Sequence, residues 1–587
     1  MSRAGAVLGK RVVAIAGVAC VLAAGAAVVA QLLTRAIGLV TNLAYYGRLS
    51  TSFVAPGDHH LGVFAVLVPV AGALVIGVMA RYGSKAIRGH GIPEAMEQVL
   101  TNQSKIPPRI TILKPLSAVI SIGTGGPFGA EGPIIATGGA LGSLIGQHLH
   151  ITTEERKTLL AAGAAAGMAA TFGSPVAAVL LAIELLLFEY RARSVIPVAL
   201  AAVTATAIRI AFQGSSAPAF AVTDLVQPPG AALAIYVLVG AVVGLAAVGV
   251  TRLVYWIEDT FERLPIHWMW WPALGAIPVG VIGLIAPRTL GVGYDNIEQM
   301  VSGTLGGTAL AAMCAWKLAS WSIALGSGTS GGTLAPLFTI GGGLGATLVA
   351  GIAAVAPHVG VDPRIGALVG MAAMFAGASR ALLASAVFAF ETTRQPLGLL
   401  PLLGGCSAAY LVSCLMMRTS IMTEKIARRG VHVPSDYGPD ELEQVAVRET
   451  ALRDVVTLDP ARTVGDVRAW LVSDAPGAGH QGFPLIDVEG RLQGVLTRRD
   501  LLDPVAAVDA TLATLIRRPA VTIAPSASLR RAADVMVHER LGRLPVVDED
   551  GRVIGIVTRS DLLEVHRGRI ARETRVERFK QLGWRRA

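Results

Sequence analysis

Between residues 12 and 417 the chain is a series of apolar runs, several of them cut short by clusters of glycine and proline. The runs at 12–43, 61–80, 231–256, 270–285 and 397–417 read as membrane-spanning helices. Others are too short to cross ~30 Å of hydrocarbon. A broken helix survives at membrane depth only where its freed backbone groups face protein or a watery cavity. The pattern therefore excludes an ordinary soluble domain and points to a transporter or channel. Only 15% of the residues are charged, against roughly a quarter in soluble proteins, and the deficit lies almost wholly before Arg418. The net charge of +10 does not imply nucleic acid, because the basic residues cluster at the ends of apolar runs: Lys10 and Arg11, Arg81, Lys85, Arg88, Arg191, Arg193, Arg418, Lys425, Arg428 and Arg429. That is where cytoplasmic helix ends carry charge. The first run is too long for a cleavable leader and reads as a membrane helix.

An internal repeat runs through this part. Residues 123–144 align without gaps on 326–347, an offset of 326 − 123 = 203, pairing Gly125 with Gly328, Gly129 with Gly332, Pro133 with Pro336 and Gly138 with Gly341. The offset persists where GAAAGMAATF at 163–172 meets GALVGMAAMF at 366–375. Paired Gly/Pro-interrupted segments in two halves of a membrane chain point to a binding site at the repeat interface. Beyond residue 429 the composition turns charged and polar. There a second repeat appears: residues 483–502 match 544–563 at an offset of 544 − 483 = 61, each copy reading as strand, Asp-x-x-Gly turn, strand, helix. This tail is similar to a tandem pair of cystathionine-β-synthase (CBS) domains.

Three short runs carry the chemistry: GHGIP at 89–93, GAEGP at 129–133 and GTLAP at 332–336. A dehydrated anion in a membrane needs donors, and a full positive charge there is costly. Glycine-rich loops that open a helix offer backbone N–H groups and the positive end of the helix dipole instead. Pro133 and Pro336 suit first helical turns, where no donor is missed. Close helix packing is the other use of such glycines. Glu131 stands out as a carboxylate among donors whose repeat mate is Leu334. It would compete with an anion, and protonation would release it.

In sequence and order the three runs resemble the anion-binding signatures of the CLC family, many of whose members carry a CBS tail. The resemblance covers nearly the whole chain. It implies an all-α multi-pass membrane protein, a CLC-type inverted repeat of short, tilted helices, with a cytoplasmic α/β CBS-domain pair. The expected boundaries are a transport domain at 1–429, a linker at 430–444, CBS domains at 445–505 and 506–567, and a basic tail at 568–587. It further implies a homodimer in the cell membrane that moves chloride or a similar small anion. Glu131 would be the gate and proton acceptor, with His90, Gly91, Ala130, Glu131, Thr333, Leu334 and Met422 at the anion.

Several positions depart from the family's pattern. His90 stands in place of a serine, Ala130 in place of an arginine, and Met422 in place of a tyrosine, the last on a weak alignment. His90 would donate through a ring N–H if it faces the anion. Leu185 stands where many exchangers of the family carry a second glutamate, which leans toward a channel over a proton-coupled antiporter and leaves both open. Glu184 and Glu391, ending apolar runs in corresponding halves, read as structural groups that cap or pair at helix ends. In the tail, Thr497 and Asp500 with Thr558 and Asp561 would meet an adenine nucleotide (ATP, ADP or AMP), the acids accepting from ribose hydroxyls, or would serve only as helix caps. No other cofactor is expected. Cys20, Cys314, Cys406 and Cys414 lie in apolar segments without metal-ligand spacing, and the His59–His60 and His148/His150 pairs have no acidic or cysteine partners at useful spacing. A CBS-regulated divalent-cation transporter would need several intramembrane acids. An enzyme would need paired catalytic groups, and none is evident, so neither is expected.

Overall fold

The computed structural model describes residues 10–222, 225–434, 441–452, 454–473 and 475–574. Parts of the expected linker (435–440) and basic tail (575–587) lie outside them. The chain divides into two compact units between residues 437 and 438.

The membrane unit is built from two series of eight helices. The first comprises α1 (Lys10–Tyr46), α2 (Leu67–Tyr82), α3 (Ile92–Thr101), α4 (Ile110–Gly123), α5 (Glu131–His148), α6 (Thr153–Phe172), α7 (Pro175–Ala182) and α8 (Ala192–Gln213). The second comprises α9 (Gly230–Glu262), α10 (Trp271–Ile285), α11 (Tyr294–Val301), α12 (Gly307–Gly326), α13 (Leu334–Val355), α14 (Pro363–Ser379), α15 (Leu382–Thr393) and α16 (Leu399–Met416). A short α17 (Glu424–Arg428) follows. Eight helices among the described residues are long and apolar enough to cross a membrane, including Ala192–Gln213 and Gly307–Gly326, which the hydropathy reading did not single out. Serine, threonine and arginine dilute the first of these, while a buried lysine interrupts the second. At 1.5 Å per residue the 37-residue α1 is about 55 Å long, so it can lie in a bilayer only when tilted.

The two series run in opposite directions. Phe220 N–H donates to Thr392 O (2.8 Å) and Gln395 Nε2 to Val222 O (3.4 Å), so the chain leaving α8 lies beside the start of its mate α16. Within each series glycines let helices touch. A Cβ at Gly138 would come within 2.1 Å of Gly163 O, and one at Gly341 within 2.4 Å of Gly370 O. Close packing thus explains these glycines in both halves.

The second unit holds two antiparallel hairpins, β1 (Gly482–Ile486) with β2 (Leu492–Thr497) and β3 (Arg543–Val547) with β4 (Val553–Thr558), each followed by a helix. Their turns pair across the repeat, Leu492 N–H to Gly551 O (3.1 Å) and Val553 N–H to Gly490 O (3.2 Å). Each copy packs its own apolar core, one around Phe483 and Leu496 and the other around Leu544 and Val557.

Candidate anion site and tail cavity

The repeat mates GAEGP and GTLAP meet backbone to backbone. Gly129 N–H donates to Gly332 O (3.1 Å), and Gly332 N–H to Gly129 O (2.9 Å). The GHGIP loop joins the same junction: Gly89 N–H donates to Thr329 O (3.3 Å) and Gly331 N–H to Gly89 O (3.4 Å). The three meet most tightly at Gly132, where a Cβ would sit 2.2 Å from His90 O and 2.9 Å from Gly332 Cα. Only a residue without a side chain lets these backbones approach so closely. From this crossing α5 and α13 depart. Their first-turn N–H groups, including those of Gly132, Leu334 and Ala335, have no acceptor one turn earlier. Pro133 and Pro336 fall in those turns.

Glu131 opens α5 and is fully buried. Its Oε1 accepts from Tyr294 Oη (2.8 Å), while Oε2 has no partner among the described residues. Two more polar atoms on the converging loops are buried without partners, His90 Nδ1 and Thr333 Oγ1. Gly91 N–H is committed to Glu94 Oε2 (2.7 Å), so it is not a free donor here. Ala130 and Leu334 are buried beside the crossing as the residues flanking the two helix starts. Met422 is also buried, in a turn tied to α14 through Ile421 N–H and Ala378 O (2.9 Å).

Two buried lysines hold the loops, and the sequence reading missed both. Lys114 Nζ donates to Ile87 O and Gly89 O (2.8 Å each). Lys317 Nζ donates to Thr289 O and Gly291 O (2.9 Å each). They are repeat mates, since 317 − 114 = 203. The loops they hold are also mates, GHG at 89–91 and GVG at 291–293 (291 − 89 = 202), each ending in a glycine of positive φ (94° and 77°) that starts a short helix. The first loop presents His90; the second places Tyr294 on Glu131. The common lysine offset and the shared Gly-x-Gly were the available signals.

Glu184 and Glu391 are exchanged helix caps. Glu184 accepts from Leu383 and Ala384 N–H (3.0 Å each) at the start of α15, and Glu391 from Val176 (3.1 Å) and Ala177 (2.8 Å) N–H at the start of α7. Leu185, next to Glu184, is buried in a widened turn closed by Phe188 N–H to Ile183 O (3.0 Å). It lines a cavity of about 360 Å³ together with Glu184, Arg380, Ser420, Thr423 and the chain leaving for the tail at 431–434. A second cavity of about 300 Å³ is lined by Tyr294, Asp295, Glu298 and the 53–56 loop. No cluster of three or more His, Cys, Asp or Glu among the described residues is arranged to hold a metal ion.

In the tail unit Thr497 N–H and Oγ1 donate to Asp500 Oδ2 (2.9 and 2.6 Å), and Thr558 does the same with Asp561 (2.6 and 2.8 Å), so both pairs cap helices. A cavity of about 530 Å³ is lined by Thr497, Asp500 and five arginines, Arg499, Arg517, Arg518, Arg540 and Arg543. Thr558 and Asp561 are outside its lining.

Helix starts brought together by an inverted repeat, with donors left open and a carboxylate among them, define a membrane anion-transport protein. The chain belongs to the voltage-gated chloride channel (CLC) family: that family's profile matches residues 71–414, and the CBS domain profile matches 447–507 and 512–568. It is 27% identical over 530 residues to the chloride channel protein CLC-f of Arabidopsis thaliana, covering 85% of this chain but only 62% of that protein's length. It is 29% identical over 363 residues to the H(+)/Cl(−) exchange transporter ClcA of Yersinia pestis, covering 60% of this chain and 74% of that one. Among solved structures, a slow cyanobacterial Cl−/H+ antiporter superposes with a TM-score of 0.64 at 24% identity, covering 72% of this chain and 98% of that one. A eukaryotic CLC transporter superposes at 0.61 and 22%, covering 93% and 97%. These two establish the fold.

Proposed function

We propose that this protein carries chloride or a similar small anion across a cell membrane, as a homodimer with one path per subunit, and that Glu131 gates the path. The observation that carries the reading is the buried Glu131 carboxylate at the crossing of two repeat-related helix starts, with one oxygen lacking a partner. An ionised carboxylate there takes the place of the anion; a protonated one loses its attraction to the helix dipoles and leaves. His90 and Thr333, each with an unpartnered buried polar atom, supply side-chain donors, and the N–H groups around Gly132 and Leu334 supply backbone ones. Ala130 and Met422 bound the site as apolar walls. Movement is passive or only loosely coupled to protons, because Leu185 cannot titrate. The test is chloride efflux from proteoliposomes bearing Glu131→Gln. Faster efflux without pH dependence is the expected result, and wild-type rate and pH dependence would refute the gate.

The CBS pair lies in the cytoplasm and binds an adenine nucleotide. Five arginines around Thr497 and Asp500 support a phosphate chain in that cavity, with the Asp500 carboxylate accepting from ribose. Thr558 and Asp561, outside that cavity, serve as a helix cap. Calorimetry of the full-length protein with ATP, ADP and AMP tests this, and no heat with any of them would refute it.

A further inference from the structure

Tyr294 has no counterpart among the residues assigned to the anion path, yet it alone among the described side chains hydrogen-bonds Glu131. Its placement is over-determined. Gly293 (φ +77°) starts α11, Lys317 fixes the preceding loop by two carbonyls, and Asn296 Nδ2 donates to Arg288 O (2.8 Å). The ring is packed edge-on to Phe172 (5.6 Å between centroids) and lies against Phe220 (6.1 Å) and Phe53 (6.2 Å). None of these rings can accept the phenol proton in a conventional bond, so the hydroxyl is left with the carboxylate.

Tyr294 also stands between two environments. The ring lines the 300 Å³ cavity, while the hydroxyl touches a carboxylate that solvent does not reach. Phe220, which packs on Tyr294, is bonded to Thr392 at the far end of α15 and α16 from Met416, where the chain leaves for the tail.

We propose that Tyr294 is the positioning residue of the gate: its hydroxyl holds the ionised Glu131 carboxylate in the anion site and so sets the pH at which the gate lets go. This rests on the reading of Glu131 as the gate. An O–H donated to a carboxylate favours the ionised form, and charge-assisted bonds are roughly twice as strong as neutral ones. The charged groups facing the pair are Lys317 from α12 and, beyond it, Asp295 on α11. The Lys317 ammonium is already bonded to Thr289 and Gly291. The neighbours from α6 and from the 53 and 220 segments are aromatic rings that do not titrate. The hydroxyl is therefore the one contact that can be deleted without moving a charge.

The experiment is chloride efflux against pH from proteoliposomes holding the full-length wild type, Tyr294→Phe, Glu131→Gln or the double variant. Phenylalanine keeps the ring packing, and elution at the wild-type size confirms folding. For Tyr294→Phe, the midpoint of the efflux curve should move to higher pH by about one unit, tenfold in proton concentration. Glu131→Gln should abolish the pH dependence, and the second substitution should then add nothing. An unmoved midpoint in folded Tyr294→Phe, with Glu131→Gln still flat, overturns the role of Tyr294 and leaves the gate standing. An equal effect of Tyr294→Phe in the Glu131→Gln background also overturns it. A wild-type profile in Glu131→Gln removes the gate itself, and this proposal with it.

Discussion

One methyl group placed at either of two glycines three residues apart should have opposite effects. At Gly132 the new Cβ would lie 2.2 Å from His90 O and 2.9 Å from Gly332 Cα, both backbone atoms. To restore ordinary contact near 3.4 Å, the His90 loop must retreat by 3.4 − 2.2 = 1.2 Å. That loop is pinned by Lys114 and by the Gly331 N–H to Gly89 O bond, so the strain falls on the crossing itself. Overpacking of this kind costs about 1–3 kcal/mol, and donors displaced by an ångström no longer converge on one ion. Gly132→Ala should therefore lose at least about tenfold in efflux, where ~1.4 kcal/mol is one decade, with a lower melting temperature. At Gly129 the Cβ would lie 1.8 Å from Glu131 Oε2, but that oxygen ends a side chain that can swing away. Gly129→Ala should displace the carboxylate, keep or raise efflux, and flatten its pH dependence. Gly249→Ala, where a Cβ meets nothing within 4 Å, is the control. The assay is chloride efflux from proteoliposomes, with thermal unfolding in detergent. Wild-type efflux in Gly132→Ala, or equal losses in both variants, would refute the geometry.

Removing an exchanged cap should cost stability before function: Glu391→Ala strands two N–H groups at the start of α7, and charge-assisted bonds worth ~1.5–3 kcal/mol each predict a clear drop in melting temperature. Lys114→Met leaves Ile87 and Gly89 carbonyls without their donor and should cut efflux at unchanged expression. In the tail, Arg517→Ala should weaken ATP binding about tenfold by calorimetry without touching the Thr497–Asp500 cap, whereas Asp500→Ala removes both ligand and cap.

Much of this was legible because repeats survive in sequence. The offset of 203 located both helix starts, and the offset of 61 located both hairpins. Broken apolar runs marked where the membrane helices stop short. The exchanged caps of Glu184 and Glu391 were foreseen as structural acids at helix ends, though not that each would cap the other half. What escaped was of two kinds. Tyr294 acts across the repeat interface, 163 residues from Glu131, and Lys317 holds a loop whose kinship to the GHGIP loop shows only through a short Gly-x-Gly. The use of the individual glycines was also hidden. Gly138 and Gly132 look alike in sequence, but one lets helices pack and the other lets three loops meet, a distinction set wholly by what lies opposite.

The coupling of anions to protons turns on the stretch between Glu131 and the cavity lined by Leu185. Leu185 and Glu184 line one cavity together with residues 431–434. Glu184 is no carrier, because both its oxygens accept backbone N–H groups at the start of α15. Leu185 has no group to titrate, and an isolated proton in an apolar setting costs several kcal/mol or more. A chloride gradient across sealed proteoliposomes should therefore move few protons or none in the wild type. Leu185→Glu, which puts a carboxyl on the wall of that cavity, should raise the proton flux per chloride while leaving chloride efflux within a few-fold. Internal pH followed alongside chloride reads both. Steady uphill proton pumping by the wild type at a fixed anion-to-proton ratio would refute the argument, and its collapse in His90→Ala would identify His90 as the carrier.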